Sequence, residues 1–164
     1  MQITDYIGSL EAWELASYLV TVVAFPFAIV VFVWEKRREY QQEEEEIYQK
    51  LSDEYSELQQ LLLQNADLFL YSKAEIDETA MTPEQIERRL IIFDLIISLF
   101  ERAYILVYEN DMNGQQKRLW ASWHDYMKNW CRRKDFKAAL PELLQGEDED
   151  FKKYLCNLAQ IKCP

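Results

Sequence analysis

LASYLVTVVAFPFAIVVFVWEKRREYQQEEEE, residues 15–46, is the stretch on which the fold turns. Twenty residues without a charge (15–34) run into the basic cluster Lys36, Arg37, Arg38 and then into four consecutive glutamates, Glu43 to Glu46. Wound as an α-helix, residues 15–34 span about 30 Å, the thickness of a bilayer's hydrocarbon core. Trp13 and Trp34 bracket the segment, as aromatic side chains do at the two headgroup levels. A cleaved signal would carry a basic leader and small residues at its cut site. Here the leader holds Asp5, Glu11 and Glu14, and the segment ends in Phe32, Val33 and Trp34. The pattern therefore predicts a permanent single-pass anchor in a plasma (inner) membrane. Because all nearby Lys and Arg follow the segment, the positive-inside rule places the N-terminus outside and residues 35–164 in the cytoplasm.

Within the span, Ser17, Thr21, Ala24 and Ala28 recur at spacings of four, three and four. Such a face of small residues lets membrane helices approach closely, and it predicts self-association in the bilayer. No ionisable group lies inside, so nothing marks a proton relay or an ion pathway. Pro26 is expected to kink the helix.

Working outward, the chain has 3 Gly and 4 Pro in 164 residues, too few for the many turns of an all-β fold. The predicted class is all-α: an N-terminal transmembrane helix continuing into a bundle of about five helices. Residues 1–14 form an extracytoplasmic N-terminus, 15–34 the transmembrane helix, 35–72 a long juxtamembrane helix, 73–82 a linker, and 83–164 the rest of the bundle. Neither Gly nor Pro occurs between Phe27 and Thr82, so the long helix can run unbroken. Along it Tyr48, Leu51, Tyr55, Leu58, Leu62, Asn65 and Phe69 follow heptad spacing, with Asn65 the polar residue that sets register. Ile47, Leu61 and Leu68 widen this face beyond a strict seam, which favours a helix packed in a bundle. Leu51, Leu58, Leu62 and Asn65 join the small-residue face as predicted oligomerisation positions.

TPEQ (82–85) is a helix start: Thr82 as N-cap, Pro83 at the first helical position, Gln85 closing a capping box. The helix that follows, with LIIFDLIISLF (90–100) and YILVY (104–108), is apolar over most of its circumference apart from Glu87, Asp94, Ser98 and Glu101. So apolar a helix belongs at the centre of a bundle or at a subunit interface. NDMNG (110–114) reads as a turn, followed by a helix with Leu119, Trp123, Tyr126 and Trp130 on one side. Asp135 is a predicted N-cap, Pro141 resets a turn, and GEDED (146–150) leads into a last helix around 149–161.

A net charge of −11 argues against the whole chain gripping a nucleic-acid duplex. Residues 115–137 run the other way, with Lys117, Arg118, Lys128, Arg132, Arg133, Lys134 and Lys137 against Asp125 and Asp135. Interleaved with Trp, this basic surface could meet RNA or anionic lipid, or dock on an acidic run such as 43–46. Cys131, Cys156 and Cys163, with one histidine and no CxxC pair, imply no zinc site. They read as three reduced thiols, Cys131 beside Arg132 and Arg133 being the one candidate for a reactive thiol. No pattern implies a cofactor.

Arg118 and His124, separated by five residues in RLWASWH, form the one constellation with catalytic chemistry. A histidine can shuttle protons near neutrality, and a guanidinium can hold a phosphate bidentately. The pair resembles the RxxxxH-type signature of the HEPN ribonuclease superfamily, where His acts at the 2′-OH or leaving group and Arg supports the phosphate. Leu119 departs from the polar residue usual after the Arg.

The whole layout includes FERAYILVYE (100–109) and RLWASWHDYMKNWCRRKDF (118–136). It resembles a group of bacterial, often cyanobacterial, single-span membrane proteins, and more loosely the HEPN-like membrane accessory protein of type VI CRISPR systems. That resemblance implies a homo-oligomeric, pore-forming or membrane-perturbing effector of antiviral defence or stress. A membrane-tethered HEPN-like ribonuclease and an accessory subunit of a larger membrane complex are the alternatives; the balance of residues favours a non-enzyme.

Overall fold

A computed structural model describes residues 13, 17, 18, 20–71 and 78–163 of the chain. It is all-α, with no strand among the described residues. Among the described residues five α-helices have defined bounds: α1 (Phe25–Gln64), α2 (Pro83–Val107), α3 (Gly114–Cys131), α4 (Lys134–Leu143) and α5 (Glu149–Ala159). The chain divides into two compact units, Met1–Glu46 and Ile47–Pro164, and α1 contributes to both.

In the first unit the expected membrane span is not found among the described residues. Of residues 15–34, positions 15, 16 and 19 lie outside the described residues, and Val20–Ala24 is a π-helical turn. Trp13, Ser17 and Tyr18 are helical, and α1 follows directly on the π-helical turn with ten uncharged residues up to Trp34. This uncharged part of α1 taken alone is about 15 Å long, half of what a bilayer core demands. Glu35, Lys36, Arg37, Arg38 and Glu39 then follow on the same helix. Among the described residues no helix is long and apolar enough to cross a membrane. The single-pass anchor, its N-out topology and the lipid-bilayer partner are corrected accordingly: among the described residues no such span stands before Lys36, Arg37 and Arg38. Pro26 lies at the start of α1, directly after the π-helical turn.

The second unit is built on the heptad face of α1. Leu51, Leu58 and Leu62 are buried, with Ile47, Tyr55 and Leu61 packed beside them. Tyr55 stacks on Tyr126 of α3 at 4.3 Å between ring centroids. The chain then leaves the helix through Asn65 and a 3₁₀ turn (Ala66–Leu68) closed by Phe69 in the left-handed region, φ 53°. Leu68 and Leu70 drop into the core behind it.

Thr82 caps α2 with a complete capping box. Its hydroxyl accepts from the Gln85 backbone N–H (3.2 Å), while its own N–H donates to the Gln85 side chain (3.0 Å). α2 is the pillar of the unit, packing against α3, α4 and α5. Ile92, Phe93, Ile96, Ile97, Leu99, Phe100 and Ala103 are its buried side, and each large one contributes roughly 1.5–3 kcal/mol through removal from water. Phe93 meets Phe136 of α4 edge-on at 5.0 Å.

On α3, Trp120, Trp123, Met127 and Trp130 are buried, whereas Leu119 and Tyr126 are only partly so. The cap of α4 is Arg133, not Asp135. Asp135 instead sits in the first turn and turns its carboxylate back on Arg133. Pro141 stays inside α4, near its end. Asp148 caps α5 by accepting from the Asp150 and Phe151 N–H groups, and left-handed Gln160 (φ 55°) closes it.

Candidate functional site

His124 is half-buried on α3, and its Nδ1 lies 2.6 Å from the Tyr154 hydroxyl of α5. Which of the two donates depends on the imidazole tautomer. Around Tyr154 stand Tyr104 (5.3 Å between centroids), Tyr108 (5.4 Å) and Trp120 (5.6 Å). Burial among these rings pushes the Tyr154 phenol up to about 12, so it stays protonated at ordinary pH. His124 is thus a polar member of an aromatic cluster joining α3 to α5.

Arg118 does not join it. Six residues along α3 turn the two side chains about 120° apart, and Arg118 is exposed. Among the described residues no hydrogen bond or ion pair links the two. The HEPN-like ribonuclease reading fails on this geometry, because among the described residues Arg118 is not brought to the histidine. Among the described residues there is also no group of three or more His, Cys, Asp or Glu placed to hold a metal.

The basic run is dispersed in the same way. Lys117, Arg118, Lys128, Arg132 and Lys134 are exposed, and Lys137 is half-buried. Arg133 faces inward: it donates to the Leu70 carbonyl (2.7 Å) and to Asp135 (2.7 and 3.1 Å) and lies over the Trp130 ring. The interleaved Trp120, Trp123 and Trp130 are core residues, 3–8 % exposed, and offer no face on which a base could stack. The suggested nucleic-acid surface is corrected on that ground.

The predicted oligomerisation positions divide. Leu51, Leu58 and Leu62 are occupied by the core of their own chain. Asn65 donates to the Leu61 carbonyl (2.9 Å) and accepts from Arg88 (2.8 Å), and Arg88 also grips Asp67 at 2.6 Å. These bonds tie the end of α1 to α2. Ser17, Ala24 and Ala28 are exposed, and the Thr21 side chain lies outside the described residues.

Two features were not recognised in the sequence. Arg89, 5 % exposed, lies on the buried side of α2, 3.7 Å from Asp135 and 6.0 Å from the Phe93 ring centroid. It sits among apolar residues where the helical period alone predicts none of its kind. The second is a disulfide joining Cys156 to Cys163, in place of the expected reduced thiols. Cys131 is buried, and burial pushes its thiol up to about 12, which removes it as a reactive candidate despite its arginine neighbours.

The strongest surface feature is the outward side of α2. Leu90 (40 %), Ile91 (55 %), Leu95 (48 %), Ile105 (59 %) and Leu106 (45 %) are exposed there. Glu84, Glu87 and Asp94 share this side, and Arg102 crosses it to reach Glu54 of α1 at 2.6 Å. No ion pair occupies Glu87 or Asp94 among the described residues.

Comparison with protein-family models, curated proteins and solved structures finds no match to the chain. The resemblance to single-span bacterial membrane proteins and to the CRISPR-associated HEPN-like protein is therefore not upheld. The pore-forming, self-associating and defence roles that it implied lose their support with it.

Proposed function

We propose that this chain is a protein-binding helical module whose outward α2 face receives an amphipathic, basic-flanked helix of a partner protein. The observation that carries this reading is the exposure of Leu90, Ile91, Leu95, Ile105 and Leu106 on a helix whose other side is fully packed. Scattered exposed leucines need no explanation, but a row of them along one helix marks an interaction surface. From Ile91 to Ile105 the row extends about 21 Å, enough for an amphipathic helix to lay down anchors at i, i+3, i+4 and i+7.

Charge indicates the flanks of that partner. Glu84, Glu87 and Asp94 border the N-terminal half of the row, so Lys or Arg beside the partner's apolar stripe would meet them. The net charge of −11 adds long-range attraction for such a helix.

The test is titration of the full chain with three labelled helical peptides, read by fluorescence anisotropy. One carries a leucine stripe with Lys flanks, one the same stripe with Glu flanks, and one a scramble of the first. The Lys-flanked peptide is expected to bind best, and Ile91→Glu with Leu95→Glu to weaken it roughly tenfold or more at unchanged helix content. Equal binding of the scramble, or no binding of the Lys-flanked peptide, overturns the reading. So does light scattering that shows the α2 face already covered by a second copy, released by the same double substitution.

A further inference from the structure

The Cys156–Cys163 pair is asymmetric in a way that assigns each sulfur a role. Cys156 lies on α5 and is 2 % exposed. Cys163 lies beyond the left-handed Gln160 that ends the helix, and it is half-buried. The returning chain is held by the Ile161 N–H, which donates to the Cys156 carbonyl at 3.1 Å. That bond brings the two Cα atoms to 5.5 Å, ordinary disulfide range, across a separation of seven residues. Cys163 Sγ also lies 3.3 Å from the Lys152 carbonyl, an acceptor for its S–H when the pair is reduced. The sulfur therefore has a place on α5 in either state. Cys131 is buried with its thiol pushed far up, so it does not compete.

We propose that Cys156 and Cys163 form a thiol–disulfide exchange site for small disulfides of the glutathione class, with Cys163 as the entry sulfur and Cys156 as the resolving one. In the reduced protein the Cys163 thiolate attacks one sulfur of the small disulfide RSSR. A Cys163–SR bond forms, the RS–SR bond breaks, and the second half leaves as a thiolate that takes the proton given up by Cys163. The Cys156 thiol then loses its proton to solvent and attacks Cys163 Sγ. The protein disulfide closes and the remaining RS group leaves as thiolate. Two electrons pass from the protein dithiol to the small disulfide, which ends as two thiols. Access dictates the order, because only an accessible thiolate can meet a dissolved disulfide. Closure clasps residues 161–163, where Ile161 and Cys163 pack against the core beside α5.

Intact-mass analysis of the reduced full chain exposed to oxidised glutathione tests this. The wild type should end as the internal disulfide with no adduct, losing two hydrogens in mass. Cys156→Ser should keep a single glutathione on Cys163, and Cys163→Ser should take none. An adduct on Cys163→Ser as abundant as that on Cys156→Ser overturns the assignment, as does the absence of any adduct on Cys156→Ser. Should a variant fail to fold, brief alkylation of the reduced wild type decides the matter. Cys163 must then be labelled before the other two, and labelling of Cys131 or Cys156 ahead of it refutes the order.

Discussion

Phe25–Trp34 of α1 and Leu90–Phe100 of α2 are about equally apolar, yet they meet opposite fates. In the first, Phe25, Phe27, Ile29, Val30, Phe32, Val33 and Trp34 are 46–67 % exposed. In the second, Ile92, Phe93, Ile96, Ile97, Leu99 and Phe100 are at most 7 % exposed, and of the apolar residues only Leu90, Ile91 and Leu95 face outward. Composition sets a demand for burial, but whether it is met depends on the surfaces available. α2 has three helices to lean on, while no helix among the described residues is long and apolar enough to cross a membrane. The lesson is that an apolar run gives the size of the hydrophobic driving force and says little about what absorbs it.

The sharpest way to break this comparison is to substitute within it. Phe100→Ala, on the packed side of α2, is expected to cost about 3–5 kcal/mol in urea unfolding, through lost transfer energy and the cavity left behind. Were its cost as small as that of a surface change, the packed core of the second unit would be wrong. Next comes the helix start. Thr82→Ala removes a cap that α2 possesses, and about 1 kcal/mol should be lost by the same measurement.

A carboxyl cluster at the junction of α2 with the turn before α5 supplies a pH dependence. Glu101 accepts from the Asp148 N–H at 2.5 Å. Burial, then the hydrogen bond and like charge of Glu101, then the charge of Asp94, push the neighbouring Glu147 carboxyl up to about 7, with Lys152 opposing. A folded-state value above the unfolded one means that the folded chain holds this proton more tightly. The contribution is therefore present below about pH 4.5 and is lost as pH rises toward about 7. Melting temperatures measured across that window should fall with rising pH more steeply for the wild type than for Glu147→Gln.

Smaller still is Arg102→Ala, which breaks an exposed pair with Glu54 and should cost less than about 1 kcal/mol. The smallest effects belong to the two exposed rows. Leu95→Ala on α2 and Val30→Ala on α1 should each change unfolding stability by no more than about 0.5 kcal/mol. If Leu95→Ala costs as much as Phe100→Ala, the outward face is a buried one, and the proposed docking surface disappears.

Local chemistry was legible in the residues. The all-α class followed from scarce Gly and Pro, and the capping box at Thr82 from residues within one turn of each other. The heptad face of α1 was legible as a face because Leu51, Leu58 and Leu62 recur with the helical period. What it faces was not, since period places side chains on a common side without naming the surface opposite. The same holds for Arg118 and His124, whose spacing suggested a pair until a straight α3 set them about 120° apart. Cys156 and Cys163 show the converse. A spacing of seven has no pairing in it, and only the helix end at Gln160 turns the chain back so that the sulfurs meet. What the sequence determined by itself was period, propensity and the amount of apolar surface, because these are properties of near neighbours in the chain. Tertiary structure alone decided which apolar faces are covered, which charges are occupied internally and which thiols join. Each of those outcomes depends on groups far apart in sequence, and the free energy of burial takes no account of their order.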